Sequence, residues 1–149
     1  MAAPFTPQDP DFERRVQASF DAQPLMATLG AEITHIGPGR VDIEFAHQEQ
    51  FTQQHGFTHA GIVAAVLDSA CGYAAFSLMS ADAAVLTVEY KINLLRPALA
   101  KRYLASAHVV KPGRTLSVCQ ATATPAAGGE AIAIMTGTLM ALSGTDIEH

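Results

Sequence analysis

The 149-residue sequence has no tryptophan, only two cysteines and few charges: charged residues make up 15% of the chain, and the formal net charge is -5. Each scarcity excludes something. Nine Lys and Arg residues spread along the chain do not supply the clustered cations that neutralise phosphates, so nucleic acid is not an expected partner. Cys71 and Cys119 have neither a paired framework nor metal-ligand spacing around them and read as buried free thiols. The longest apolar stretch, residues 60–79, is interrupted by Asp68 and rich in Ala and Gly, which argues against a membrane span. The first residues, MAAPFTPQDPDFERRV, lack the charged-then-apolar order of a secretory signal, and the cytoplasm is the expected compartment. A low charged share in a chain that is 49% hydrophobic further implies that part of the surface is covered by another copy.

The length suits one domain. Residues 1–24 read as an N-terminal segment with a short helix over 9–22, where Phe12, Val16 and Phe20 recur every four residues until Pro24. Residues 25–149 read as a single domain. Alternation from Ile33, the turn Gly37-Pro38-Gly39, and then Val41, Ile43 and Phe45 predict a hairpin. A polar loop over 48–58 delivers the chain to a helix starting near His59, apolar nearly all round and therefore buried centrally. Strict alternation over 84–95 places Val85, Thr87, Glu89, Lys91 and Asn93 on one strand face. Leu86, Val88, Tyr90, Ile92 and Leu94 fall on the other, and the Tyr90-Ile92-Leu94 side is expected to be core. Two strands joined at Lys111-Pro112-Gly113-Arg114 and a last strand over 131–142 complete an α+β domain, an antiparallel sheet wrapped around the long helix.

The chemistry concentrates at Gln53-Gln54-His55-Gly56-Phe57-Thr58-His59-Ala60-Gly61 and at Asp68. An ionised carboxylate among Ala, Val and Leu costs several kcal/mol unless it faces a cavity, an interface or a donor. The start of the same helix offers unsatisfied N–H groups and the positive end of its dipole. Ala60 and Gly61 are small enough for a ligand carbonyl to approach those N–H groups, as an oxyanion hole requires. Asp68 lies eight residues beyond Ala60, roughly 12 Å along a helix axis. One carbonyl cannot meet both within one chain, so a shared substrate requires two copies related by a two-fold axis. His55 and His59 stand four apart, but no third ligand follows and no metal is expected. Lys111 and Arg114 put two cations beside a tight turn, suited either to phosphates or to a solvated hairpin tip.

Together, His59-Ala60-Gly61, Leu67-Asp68-Ser69-Ala70, the strand LTVEYKINLLRPA and the turn VVKPGRTL resemble hotdog-fold thioesterases of the PaaI type over roughly residues 25–142. The resemblance implies a hotdog fold, homodimers that often pair into tetramers, and active sites at the dimer interface. It implies an acyl-coenzyme A substrate, with coenzyme A as part of the substrate and no separate cofactor. Asp68 matches the nucleophile or general base, Ala60 the residue whose N–H polarises the carbonyl, and His59 the ordering His of an H-G-G motif. Gln53 stands where many relatives carry a water-positioning Asn, and Thr87 where some carry an assisting Ser. Gly61, His55, Lys111 and Arg114 are the remaining candidates for substrate contact. The chain departs from the pattern at Ala60, at Gln53 and at His55-Gly56-Phe57. The wording of residues 53–61 resembles a subgroup acting on medium- and long-chain acyl groups, with aromatic acyl groups as the alternative. Two rival readings stay open: a non-catalytic acyl-coenzyme A binding module, and a hydroxyacyl dehydratase pairing His55 or His59 with Asp68.

Overall fold

The computed structural model describes residues 5–144. Readings that touch residues 1–4 and 145–149 lie outside the described residues. Two short helices, α1 (Phe12–Asp21) and α2 (Pro24–Leu29), precede β1 (Glu32–Gly37) and β2 (Arg40–Ala46). A 3-10 turn (Glu49–Phe51) leads into α3 (Ala60–Phe76), followed by β3 (Ala83–Leu94), β4 (Arg102–Lys111), β5 (Leu116–Pro125) and β6 (Ala133–Ser143). The strands form one antiparallel sheet in the order β1-β2-β4-β5-β6-β3. The helix predicted over 9–22 is α1, and Pro24, which cannot extend it but is suited to a first helical turn, opens the additional helix α2.

The sheet curls around α3, whose Val66, Leu67, Ala70 and Ala74 are wholly enclosed among Val41, Ile43, Phe45, Ala105 and Ala121. Short side chains on the strands let the helix approach closely. At the β1-β2 turn, Gly39 has φ +73°, the region that glycine adopts freely, and its N–H donates to Ser77 Oγ at 2.8 Å beyond the end of α3. Helix α1 is fastened to the same end of α3. Arg15 donates to the carbonyls of Phe76, Met79 and Ser80, pairs with buried Asp9 at 2.8 Å, and lays its guanidinium over the Phe76 ring. This clamp carries the α1-α2 junction across the flank of α3, beside Asp68.

Strand β3 corrects the predicted alternation. A β-bulge falls between Thr87 and Glu89, so Thr87 stands opposite Leu139 while Glu89 stands opposite Thr138. The extra residue, Val88, exchanges the two faces halfway along the strand. Val85 and Thr87 therefore share the helix-facing side with Tyr90, Ile92 and Leu94, and Leu86, Glu89 and Lys91 share the other. Tyr90 and Leu94 are not core: they are 45% and 54% exposed, because β3 is the last strand and only β6 pairs with it.

Candidate functional site

The loop before α3 is anchored by buried polar contacts. Thr58 Oγ1 bridges His47 Nδ1 at 2.8 Å and the fully buried Tyr103 hydroxyl at 3.0 Å, while the Thr58 N–H donates to Ala98 and the His59 N–H to Phe51. The helix start is held in one place as a result. His59 is the N-cap, and its Nδ1 accepts from the Gly61 N–H at 2.8 Å. Glycine at 61 makes this possible, since a Cβ there would stand 3.1 Å from His59 Nδ1. The cap separates two neighbouring donors that the sequence left equivalent: Gly61 is occupied, whereas the Ala60 N–H meets no acceptor among the described residues.

Ala60 opens into a cavity of about 360 Å³ lined by Gln53, Phe57, Val63, Leu94 and Ile132. Gln53 Oε1 accepts from the N–H groups of His55, at 2.5 Å, and Phe57, at 3.3 Å. Its carbonyl end thus shapes the loop, and its NH2 group has no acceptor among the described residues. The His55 side chain is exposed at the loop tip and is not among the residues lining this cavity.

Asp68 lies in the middle of α3 and opens into a second cavity of about 180 Å³, shared with Ser19, Gln23, Ser69, Tyr73 and Thr87. The Thr87 hydroxyl donates to Asp68 Oδ1 at 2.8 Å. Burial raises the Asp68 pKa above the ordinary carboxylate range, and the Thr87 hydrogen bond works against that rise. The bulge in β3 is what turns Thr87 toward Asp68 without turning Tyr90, Ile92 and Leu94 away from the helix side. Sequence reasoning missed Ser19, Gln23 and Tyr73, because Tyr73 fits the apolar spacing of α3 and the other two precede the expected domain.

Within one chain, therefore, the candidates form two groups: Ala60 with Gln53 and His59, and Asp68 with Thr87. Lys111 and Arg114 belong to neither. Their turn follows β4, whose Val109 bonds to Gly39, so it lies at the C-terminal end of α3, away from Ala60. Cys71 and Cys119 are free and buried, and burial pushes the Cys119 thiol up to about 12, which leaves no reactive thiolate. Among the described residues, no three His, Cys, Asp or Glu side chains gather into a group able to hold a metal, and no helix is long and apolar enough to cross a membrane.

Comparisons with known proteins identify the family to which a chain of this fold belongs. The profile of the thioesterase superfamily matches residues 55–132. The chain belongs to the thioesterase superfamily. Human acyl-coenzyme A thioesterase 13 is 31% identical over 120 residues, covering 79% of this chain and 85% of that protein. A crystal structure of a thioesterase family protein from Silicibacter pomeroyi superposes with a TM-score of 0.86 at 58% identity, over 89% of this chain and 99% of that one. The PaaI protein of the Escherichia coli phenylacetic acid degradation operon superposes with a TM-score of 0.83 over 91% of this chain and 96% of that one; at 21% identity this is a likeness of fold. The expected hotdog fold is therefore present, and membership of the superfamily makes the chain a thioester hydrolase.

Proposed function

We propose that this thioester hydrolase acts on an acyl-coenzyme A at a site shared by two copies, each giving its Ala60 N–H to one reaction centre and its Asp68 to the other. The observation that carries the reading is that the free N–H and the carboxylate open into different cavities on one helix. The β3 edge supports the second copy. Leu86, Val88 and Tyr90 lie 45–52% exposed on β3, whose outer edge is unpaired and whose exposed charges, Glu89 and Lys91, are of opposite sign, and an apolar open edge takes up another strand unless it is covered. The other edge, β1, presents Glu32, Thr34 and His35 instead.

An antiparallel pairing of β3 with itself about an axis between Tyr90 and Lys91 sets Thr87, beside Asp68, opposite Leu94 of the second copy, beside its Ala60. The same rotation brings the partner's Lys111–Arg114 turn to the end of the sheet where Ala60 lies, and supports a role for those cations toward the coenzyme A phosphates.

At this centre the thioester oxygen takes the Ala60 N–H, so that charge developing on it meets a donor at the positive end of α3. Ionised Asp68 removes a proton from water as the water adds to the carbonyl, or attacks the carbonyl itself to form an anhydride that water then opens. Either way the C–S bond breaks, the coenzyme A sulfur leaves with a proton, and the acyl group leaves as a carboxylic acid. The Gln53 NH2 and Thr87 hydroxyl orient the water and the carboxylate, and His59 keeps Gly61 from competing with Ala60. Coenzyme A enters as part of the substrate, and the steps use no further cofactor. Sequence resemblance favours medium- to long-chain aliphatic acyl groups, with aromatic ones as the alternative.

The test is thiol release from a panel of acyl-coenzyme A esters by the native protein and by Asp68→Asn, with sedimentation to read assembly. Turnover lost in a variant that still dimerises and binds is the expected result. A native protein that binds the panel without turnover would be a binding module instead.

A further inference from the structure

The cavity beside Asp68 is lined along α3 by Ser69, Gly72 and Tyr73 and across it by Ser19, and Tyr73 and Ser19 are buried. A coenzyme A arm must lead back to solvent, where its nucleotide lies, so the buried lining suits the other end of the substrate. That lining is also polar. Gln23 Nε2 donates to Tyr73 Oη at 3.1 Å, Ser19 Oγ donates to the same oxygen at 3.4 Å, and Ser69 Oγ donates to Gln23 Oε1 at 3.2 Å. Tyr73 Oη thus receives two hydrogen bonds, and its own proton has no acceptor among the described residues. Gln23 likewise keeps a second N–H.

The positions are rigid. The Tyr73 ring is held edge-on by Phe20 and Phe76, and Gln23 sits at the helix junction that the Arg15 clamp fixes against α3. A volume of 180 Å³ holds about six non-hydrogen atoms at the roughly 30 Å³ that each water occupies in the liquid.

Resting on the acyl-coenzyme A reading above, the geometry points to this cavity as the acyl-end pocket, with Tyr73 and Gln23 as specificity-determining residues that select a short acyl group ending in a hydroxyl or carbonyl oxygen. The oxygen accepts from the Tyr73 O–H and the free Gln23 N–H, neither of which an aliphatic terminus can satisfy. A long saturated chain is disfavoured twice, by length and by leaving those donors without partners. This departs from the medium- to long-chain class that resemblance suggests. It also gives the N-terminal segment a function: Ser19 of α1 and Gln23 at the α1-α2 junction supply one wall of the pocket.

The experiment compares kcat/KM for 6-hydroxyhexanoyl-coenzyme A with that for heptanoyl-coenzyme A, in which a methyl replaces the hydroxyl, and for dodecanoyl-coenzyme A. The native protein is expected to favour the hydroxylated ester about tenfold, the value of one well-formed neutral hydrogen bond. Tyr73→Phe, which keeps the ring packing, and Gln23→Leu should each bring the ratio of hydroxyhexanoyl to heptanoyl kcat/KM to about one. Equal native rates for the isosteric pair, faster dodecanoyl turnover, or variants that slow every ester alike would overturn the pocket assignment and leave the thioesterase reading standing. Absence of turnover on all three, and on the wider panel, would sink both.

Discussion

The two cavities along α3 differ in nearly every property that matters to a reaction. The one at Ala60 is the larger and has mostly apolar walls, with Gln53, Thr58 and Arg96 as its polar side chains; the one at Asp68 is half the size and largely polar. One offers the free N–H at the start of α3 without a base, and the other a base eight residues farther along the same helix. On the two-copy reading proposed above, a single copy contains the complete set of groups and no complete site, and the unpaired edge of β3 is where the second copy joins.

The sharpest way to break the comparison is to disable the polar cavity. Asp68→Asn should lower kcat by at least about 10²-fold, the low end of what a positioned base contributes, without altering sedimentation. Next in size is the apolar cavity. Ala60→Pro removes the free N–H at the first helical position, where proline is tolerated, and His59 already has the extended backbone (φ -59°, ψ 138°) that a following proline requires. The variant should keep its helical circular dichroism and lose about 10²-fold in kcat. Thr87→Val is milder, at about tenfold. Because the Thr87 hydrogen bond opposes the upward push of burial on Asp68, its removal raises that pKa further, and the acid limb of kcat/KM moves to higher pH. A limb that moves down, or stays, would contradict the role given to Thr87. The smallest effect is at the cap. His59→Ala leaves the Gly61 N–H without its partner and should cost about 1 kcal/mol, read as a lower denaturation midpoint at unchanged slope.

Much of this is legible in the sequence. Periodicity locates α3 and the strands to within two residues, and the expense of a carboxylate in an apolar helix is enough to single out Asp68. The eight-residue separation from Ala60 already points to two copies if both groups act on one substrate. What the sequence hides has particular physical reasons. A bulge adds one residue without any local compositional mark, so alternation assigns Thr87 and Tyr90 to opposite faces. Tyr90 and Leu94 have core composition yet lie on an edge, which only sheet order reveals. Ala60 and Gly61 look equivalent as donors until the His59 cap occupies one of them. The α1-α2 wall comes from a segment whose contacts with Tyr73 and Ser69 span about fifty positions, beyond the reach of any local pattern.

The claim that each centre is built from two chains is tested most directly by mixing two dead variants. Ala60→Pro and Asp68→Asn are co-expressed with different tags, and dimers carrying both tags are isolated. If the donor and the base come from different copies, every mixed dimer contains one intact centre and one with both changes, and it should recover about half of the native turnover. If both groups serve within the same copy, the mixed dimer contains no intact centre, and turnover no higher than that of the parent variants would contradict the account.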